Sequence, residues 1–142
     1  MQETGVVRVR VCGTQKDAAG EVSRVETEAD GRYDVRGGKH YVRYADETLA
    51  EGARVDTTLK FGAEEALLIR RGALSHEQRF SLGRETRSTY RTPYGDMALA
   101  VRTQELSMRE EKGRVTFQLS YDLYVADALQ SHHTLCVEVV ER

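Results

Sequence analysis

A regular alternation of apolar and polar side chains in the last third of the chain most restricts what this sequence can fold into. Every second residue from 115 to 125 is apolar or aromatic, namely Val115, Phe117, Leu119, Tyr121, Leu123 and Val125. The residues between them are mostly polar. Because successive side chains of a strand point to opposite faces, this pattern predicts a long β-strand with one buried face.

Similar alternation occurs at 7–11, 97–101 and 135–139, and turn-forming glycines recur at short intervals between these segments. Only 45–53 and 63–68 have helix-favouring composition, so no long amphipathic helix is available to cover a sheet. Such a sheet must bury its apolar face against a second sheet or close on itself. The short connections favour an all-β fold, a single closed antiparallel up-and-down barrel of roughly eight to ten strands, over a sandwich.

Length and charge exclude several classes of protein. The 142 residues match the usual size of one domain, so we expect one barrel domain spanning residues 1–142. With 39% hydrophobic and 31% charged residues, the composition excludes intrinsic disorder. The net charge of −2 argues against a general binder of nucleic acid or anionic membranes.

Compartment is indicated by the hydropathy pattern and by the cysteines. No apolar run is long enough for a transmembrane helix, and no signal-peptide pattern is present, so we expect a cytoplasmic protein with no membrane partner. Cys12 and Cys136 match no metal or redox spacing, and we expect free thiols. Each lies one residue out of phase with an apolar alternation, so the two could face each other on neighbouring strands.

A series of short motifs follows a fixed order through most of the chain. They are Gly31-Arg32-Tyr33, Tyr41-Val42-Arg43-Tyr44, Ile69-Arg70-Arg71-Gly72, Gln78-Arg79-Phe80, Tyr90-Arg91-Thr92-Pro93-Tyr94-Gly95, Gly113-Arg114 and Tyr121-Asp122. In order and spacing they resemble the YwiB-like family of small bacterial proteins of unknown function. The resemblance implies a calycin-like, lipocalin-like barrel in a bacterial cytoplasmic protein, and it brings no established activity, cofactor or catalytic residue.

A basic segment between residues 70 and 91 holds most of the candidate ligand-binding residues. It contains six arginines against two glutamates in a chain that is slightly acidic overall. Its charged residues fall mostly at odd positions, which we expect to face outward, while Arg70 is in phase with Leu68 and would point inward. The inward-facing candidates are Arg70, Gln78, Tyr90, Thr92 and Tyr121.

An arginine beside several hydroxyl groups in a partly desolvated cavity would bind a carboxylate or phosphate. We therefore predict a non-enzymatic protein that holds a small amphipathic or anionic ligand, with its cofactor, if any, unknown. The structural alternative is that Arg70 extends to solvent or pairs with a carboxylate, while the hydroxyl groups satisfy one another across the sheet.

The outer face of the basic segment supports a second hypothesis. There Arg79, Arg87 and Arg91, with Tyr90 and Tyr94 nearby, could bind RNA or an acidic protein. We consider it the weaker hypothesis because no stripe of stacking aromatic residues accompanies the arginines.

Metal and nucleophile chemistry has little support in the sequence. His132 and His133 are adjacent, so on a strand they point to opposite faces and at most one reaches the interior. A single inward histidine could ligate a haem iron, but no metal-binding spacing is present. No nucleophile motif surrounds the serines, which include Ser107, Ser120 and Ser131.

Overall fold

The computed structural model describes the backbone of residues 4–50, 53–72 and 75–142, and the side chains of these residues apart from 46–50, 53 and 92. Ten β-strands form in this part of the chain. They are β1 (Thr4–Asp17), β2 (Val22–Arg36), β3 (Lys39–Ala50), β4 (Ala53–Phe61), β5 (Glu65–Gly72), β6 (His76–Ser81), β7 (Glu85–Thr92), β8 (Gly95–Glu111), β9 (Arg114–Val125) and β10 (Ala128–Glu141). The two segments of helix-favouring composition therefore contribute to strands. Within the described ranges, no helix is long and apolar enough to cross a membrane.

The strands form one antiparallel sheet in which neighbours in sequence are neighbours in space. The hydrogen-bonded order is β6-β5-β4-β3-β2-β1-β10-β9-β8-β7, so β1 pairs with β10 in the middle of the sheet. Its two outer strands, β6 and β7, follow each other in the chain and lie side by side. The sheet thus curls into a nearly closed barrel, which confirms the predicted up-and-down architecture.

Side chains complete the barrel where β6 meets β7. The two strands are not backbone-paired neighbours in the sheet. Instead, Ser88 Oγ donates to Gln78 Oε1 at 2.6 Å, and Gln78 Nε2 donates to Thr86 Oγ1 at 3.3 Å. The Thr86 hydroxyl in turn donates to the carbonyl oxygen of Arg79. We call this junction, formed by Gln78, Thr86 and Ser88, the seam.

Buried side chains fill one end of the barrel interior. Phe61 and Phe117 are fully buried with ring centroids 4.7 Å apart, and His40 stacks on Phe61 at 5.2 Å. Both nitrogens of His40 have partners, because Nδ1 lies 2.6 Å from the Tyr33 hydroxyl and Nε2 lies 3.0 Å from Glu110 Oε1. We call this region the filled end. It lies near the turns β2–β3, β4–β5 and β8–β9.

The two cysteines face each other across the pair β1–β10. Cys12 and Cys136 are direct register partners, and both are free thiols. The placement on neighbouring strands follows the sequence phase described above. Burial, helped by the neighbouring Cys12, raises the pKa of the Cys136 thiol, so little of it is present as the reactive thiolate at neutral pH.

Candidate ligand-binding site

Arg70 points into the barrel at the end opposite the filled end. It lies on β5 in phase with Leu68, and its register partners are Thr57 on β4 and His76 on β6. Its Nε atom is buried and has no hydrogen-bond partner in the part of the chain that the structure describes. Among the side chains that the structure describes, no carboxylate lies within 4.0 Å of its guanidinium nitrogens. The alternative in which Arg70 is a partner in an internal ion pair therefore finds no support in these residues.

A cavity of about 260 Å³ lies beside Arg70. Arg70, Tyr121 and His133 form part of its polar lining. Much of the remaining wall is apolar and includes Leu59, Leu68, Phe80, Leu135 and Val137. Val25 on β2 belongs to the lining and is 54% exposed, so the cavity is open to solvent on this side. We call this region the hollow end.

Tyr121 forms one wall of the cavity together with two aromatic neighbours. The ring of His133 stacks on it in parallel at 4.8 Å, and the Phe80 ring lies at 4.9 Å. Burial raises the pKa of Tyr121, and the Arg70 charge only partly offsets this effect. The phenol therefore stays protonated at neutral pH and can donate a hydrogen bond to an anion.

His133 is held in place at the mouth of the cavity. Its Nε2 lies 2.7 Å from Ser131 Oγ, which fixes the ring against Tyr121. Burial lowers the pKa of His133, with a further lowering from His132 and an opposing contribution from Asp122. In the absence of ligand the ring is consequently neutral at pH 7.

Two of the predicted residues lie next to the cavity rather than in its wall. Tyr90 packs edge-on against His76, with centroids 5.3 Å apart, and His76 Nε2 lies 3.2 Å from Ser88 Oγ. Burial, followed by the charge of Arg70, lowers the pKa of His76. Gln78 is buried and its amide is engaged in the seam. A ligand contact for Gln78 or Tyr90 stays a prediction.

Thr92 belongs to β7, but its side chain lies outside the described residues, so its role also stays a prediction. Two other threonines, Thr57 and Thr103, were not singled out from the sequence. Their hydroxyl oxygens are buried without a partner among the described residues. Thr57 pairs in register with Arg70 and Thr103 with Tyr121, so the unpartnered polar atoms gather around the two cavity residues.

His133 is a lining residue that was not assigned to the site from the sequence. Because the two residues are adjacent, the sequence predicted that at most one histidine of the pair reaches the interior, without showing which one. The structure places His133 inside, in phase with Leu135, Val137 and Val139, whereas His132 faces outward. The sequence shows that His133 is in phase with these apolar residues. The alternation does not extend along all of β10, because a bulge interrupts it between Leu129 and Ser131.

The outer face of the basic segment carries exposed arginines, as predicted. Arg79, Arg87 and Arg91 are all exposed. Arg87 lies 3.3 Å from Glu85 and 3.7 Å from Asp127, so part of its charge is locally neutralised. Binding of RNA or an acidic protein to this face stays a prediction.

These features define an antiparallel ten-stranded β-barrel, in the described residues, with one filled end and one hollow end. Residues 9–137 match the family described as a domain of unknown function, DUF1934, and the chain belongs to this family. It is 30% identical over 115 residues to the uncharacterized β-barrel protein YwiB of Bacillus subtilis (strain 168), over 80% of this chain and 78% of that protein. The family resemblance inferred from the motifs is thereby confirmed.

A solved structure supports the fold independently. The crystal structure of the ywiB protein from Bacillus subtilis matches with a TM-score of 0.87 at 23% sequence identity. The match covers 100% of this chain and 95% of that chain. At this level of identity the likeness establishes the shared barrel fold.

Proposed function

We propose that the protein binds a small amphipathic anion in the hollow end, with Arg70 as the anchor of the anionic group. The observation that carries the proposal is the buried Nε of Arg70, which has no partner among the described residues, at the wall of an otherwise largely apolar cavity. Polar groups buried without a partner destabilise a fold, and most native proteins avoid them. A carboxylate would satisfy the guanidinium through charge-assisted hydrogen bonds.

The other lining residues fit the same class of ligand. The Tyr121 hydroxyl and the His133 ring can orient an anionic group, while Leu68, Phe80 and Leu135 offer contacts to an apolar body. A volume of about 260 Å³ lies just below the roughly 300–1,000 Å³ typical of ligand pockets. The cavity therefore suits a small molecule, such as a short-chain or aromatic carboxylate.

In this proposal the barrel is of the calycin-like, lipocalin-like kind, in which a small barrel encloses one small ligand. It acts as a binding protein rather than an enzyme at this site. A reducing compartment such as the cytoplasm is consistent with the free thiols of Cys12 and Cys136, which persist although the two residues are register partners.

Isothermal titration calorimetry with octanoate and with 1-octanol tests this function. The two probes have the same chain length and differ in charge, so we expect octanoate to bind more tightly. Arg70→Met should weaken octanoate binding by about tenfold or more, because hydrogen bonds to charged groups contribute about 1.5–3 kcal/mol.

Arg71→Met is the matched control. Arg71 is the next residue on β5, is exposed, and lies 3.5 Å from Glu77 on the outer face. We expect this variant to bind octanoate as the unmodified protein does. Equal losses in the two variants, or no binding of octanoate to the unmodified protein, would contradict the proposal.

The alternative function, binding of RNA or an acidic protein by the outer arginines, makes a different prediction about salt. Phosphate contacts release counterions, so such a complex should weaken steeply between low and moderate salt and with Arg79→Ala or Arg91→Ala. Octanoate bound in the hollow end should respond much less to salt. The ion pairs of Arg87 make the outer face the less favoured site.

A further inference from the structure

A serine, a histidine and an aspartate lie together on the outer wall of the barrel, away from the hollow end's lining. Ser120 and Asp122 are two residues apart on β9, and so share its outer face. His132 on β10 is the direct register partner of Asp122. Antiparallel pairing therefore places the histidine ring beside both side chains. We call Ser120, Asp122 and His132 the outer-wall triad.

Distances within the triad connect the three groups in a defined order. Ser120 Oγ lies 3.2 Å from His132 Nε2, and Asp122 Oδ1 lies 2.8 Å from His132 Nδ1. The two contacts thus use opposite nitrogens of the same ring. This is the order required of a nucleophile, a base and the group that orients the base.

The carboxylate determines which nitrogen carries the proton. An ionised aspartate only accepts hydrogen bonds, so Nδ1 of His132 must be the donor to Asp122. In the neutral ring Nε2 is then an acceptor, and Ser120 Oγ must donate to it. The hydroxyl proton of Ser120 therefore points at a base that is free to take it.

A β-bulge supplies a further group that holds the triad. The register of β8 against β9 shifts between Thr103 and Glu105, and the intervening Gln104 donates from Nε2 to Asp122 Oδ2 at 2.8 Å. Both oxygens of Asp122 are thus hydrogen-bonded, one to His132 and one to Gln104. This fixes the carboxylate that orients the ring.

Exposure sets the kind of molecule that can approach. The His132 side chain is 41% exposed and that of Asp122 is 20% exposed, whereas Ser120 as a residue is 8% exposed. The base faces solvent, while the serine beside it is largely buried. A small electrophile fits this arrangement better than a large one.

We propose that Ser120 is a nucleophile, activated by His132, that reacts with small acyl esters. Ser120 Oγ forms a bond to the acyl carbon while its proton passes to Nε2 of His132. The bond from the acyl carbon to the leaving oxygen breaks, and that oxygen takes the proton and departs as an alcohol. Water then attacks the acyl-serine by the same route, which releases the carboxylic acid and restores Ser120 and His132. Asp122 and Gln104 are positioning residues.

Reaction with diisopropyl fluorophosphate, followed by intact-mass measurement and peptide mapping, tests the proposal on the full chain. The serine oxygen displaces fluoride from phosphorus, so an activated Ser120 gains one diisopropylphosphoryl group. We expect a single adduct at Ser120. His132→Gln should slow the labelling by about 100-fold or more, in line with the usual contribution of a general base. Hydrolysis of p-nitrophenyl acetate should fall in parallel.

Matched variants separate activation from mere exposure of a serine. Ser107 is exposed on the outer face of the neighbouring strand β8. Ser107→Ala should leave the labelling unchanged. Asp122→Asn should slow the labelling at an unchanged thermal unfolding midpoint, and Asp122→Glu should restore part of the rate, which a purely structural role would not produce.

Three results would overturn the proposal. They are no adduct on the unmodified protein, an adduct on Ser107 as fast as that on Ser120, and an unchanged labelling rate in a folded His132→Gln variant. If His132→Gln fails to fold, the rate measured for Asp122→Asn decides between activation and simple exposure. These results do not depend on octanoate binding at the hollow end.

Discussion

The filled end and the hollow end are both lined by inward-facing side chains, yet they differ in how their buried polar groups are hydrogen-bonded. At the filled end, both nitrogens of His40 are bonded to Tyr33 and Glu110. At the hollow end, the Nε of Arg70 and the hydroxyl oxygen of Thr103 are buried without partners in the described part of the chain. Polar residues therefore complete the core at one end, whereas at the other end buried polar atoms have no hydrogen-bond partner among the described residues.

Two phenylalanines give the largest test of this comparison. Phe117 lies within the filled end, whereas Phe80 borders the cavity. Phe117→Ala should lower the free energy of unfolding by about 3–5 kcal/mol, the usual range for a buried phenylalanine. Phe80→Ala should lower it by less, because part of its ring already lacks contacts. Urea unfolding measures both, and equal losses would show that the two ends are packed alike.

The seam provides the next largest effect. Gln78→Leu removes the buried amide that accepts from Ser88 and donates to Thr86, and it should lower the free energy of unfolding by about 1–3 kcal/mol. Hydrogen exchange should speed up in β6 and β7 before other strands, since the two strands are not paired through their backbones in the described sheet. Gln130→Leu, on an exposed position of β10, is the control and should change stability by about 0.5 kcal/mol or less. If both variants lose the same stability, the seam does not hold the barrel closed.

The strands and their faces were predictable from the sequence, because alternation is a local property that each segment displays by itself. The inward direction of Arg70 and Tyr121 followed from their phase with Leu68 and Leu119. Features that depend on contacts between strands were not predictable. The seam role of Gln78 is an example, because it requires β6 and β7 to meet without backbone pairing.

The outer-wall triad was missed for a related physical reason. Its three residues come from two strands, and no local motif surrounds Ser120. Only the exact register of β9 against β10 brings His132 opposite Asp122. The bulge that turns Gln104 toward Asp122 adds one residue to β8, and a single insertion among polar side chains leaves no periodic signal.

A smaller effect is expected from removing an unpartnered hydroxyl. Thr103→Val keeps the shape of the side chain and removes a buried oxygen that has no partner among the described residues. The free energy of unfolding should stay constant or rise by up to about 1 kcal/mol. A loss of more than that, measured by urea unfolding, would mean that this hydroxyl is part of the structural core.

Lowering the pH should destabilise the hollow end through His133 and the adjacent His76. We expect this effect on stability to be the smallest, because both rings are partly exposed. Their pKa values are lowered in the folded state, chiefly by burial. The stability that depends on neutral His76 and His133 is therefore present above pH 6.5 and is lost as the pH falls below it, where the unfolded chain binds more protons. The double variant His76→Gln/His133→Gln should flatten this slope between pH 7 and 5. An unchanged slope would assign the acid sensitivity to other groups.

Whether the hollow end binds an anion can be measured by two-dimensional ¹H–¹⁵N NMR, with octanoate titrated into the ¹⁵N-labelled protein. We expect saturable shifts of amide signals at the hollow end, around Arg70, Tyr121 and His133. Signals from the filled end, around Phe61 and Phe117, should stay in place. Shifts confined to the outer face, or no saturable shifts at concentrations of octanoate that leave the fold intact, would contradict the claim that the hollow end is a ligand site.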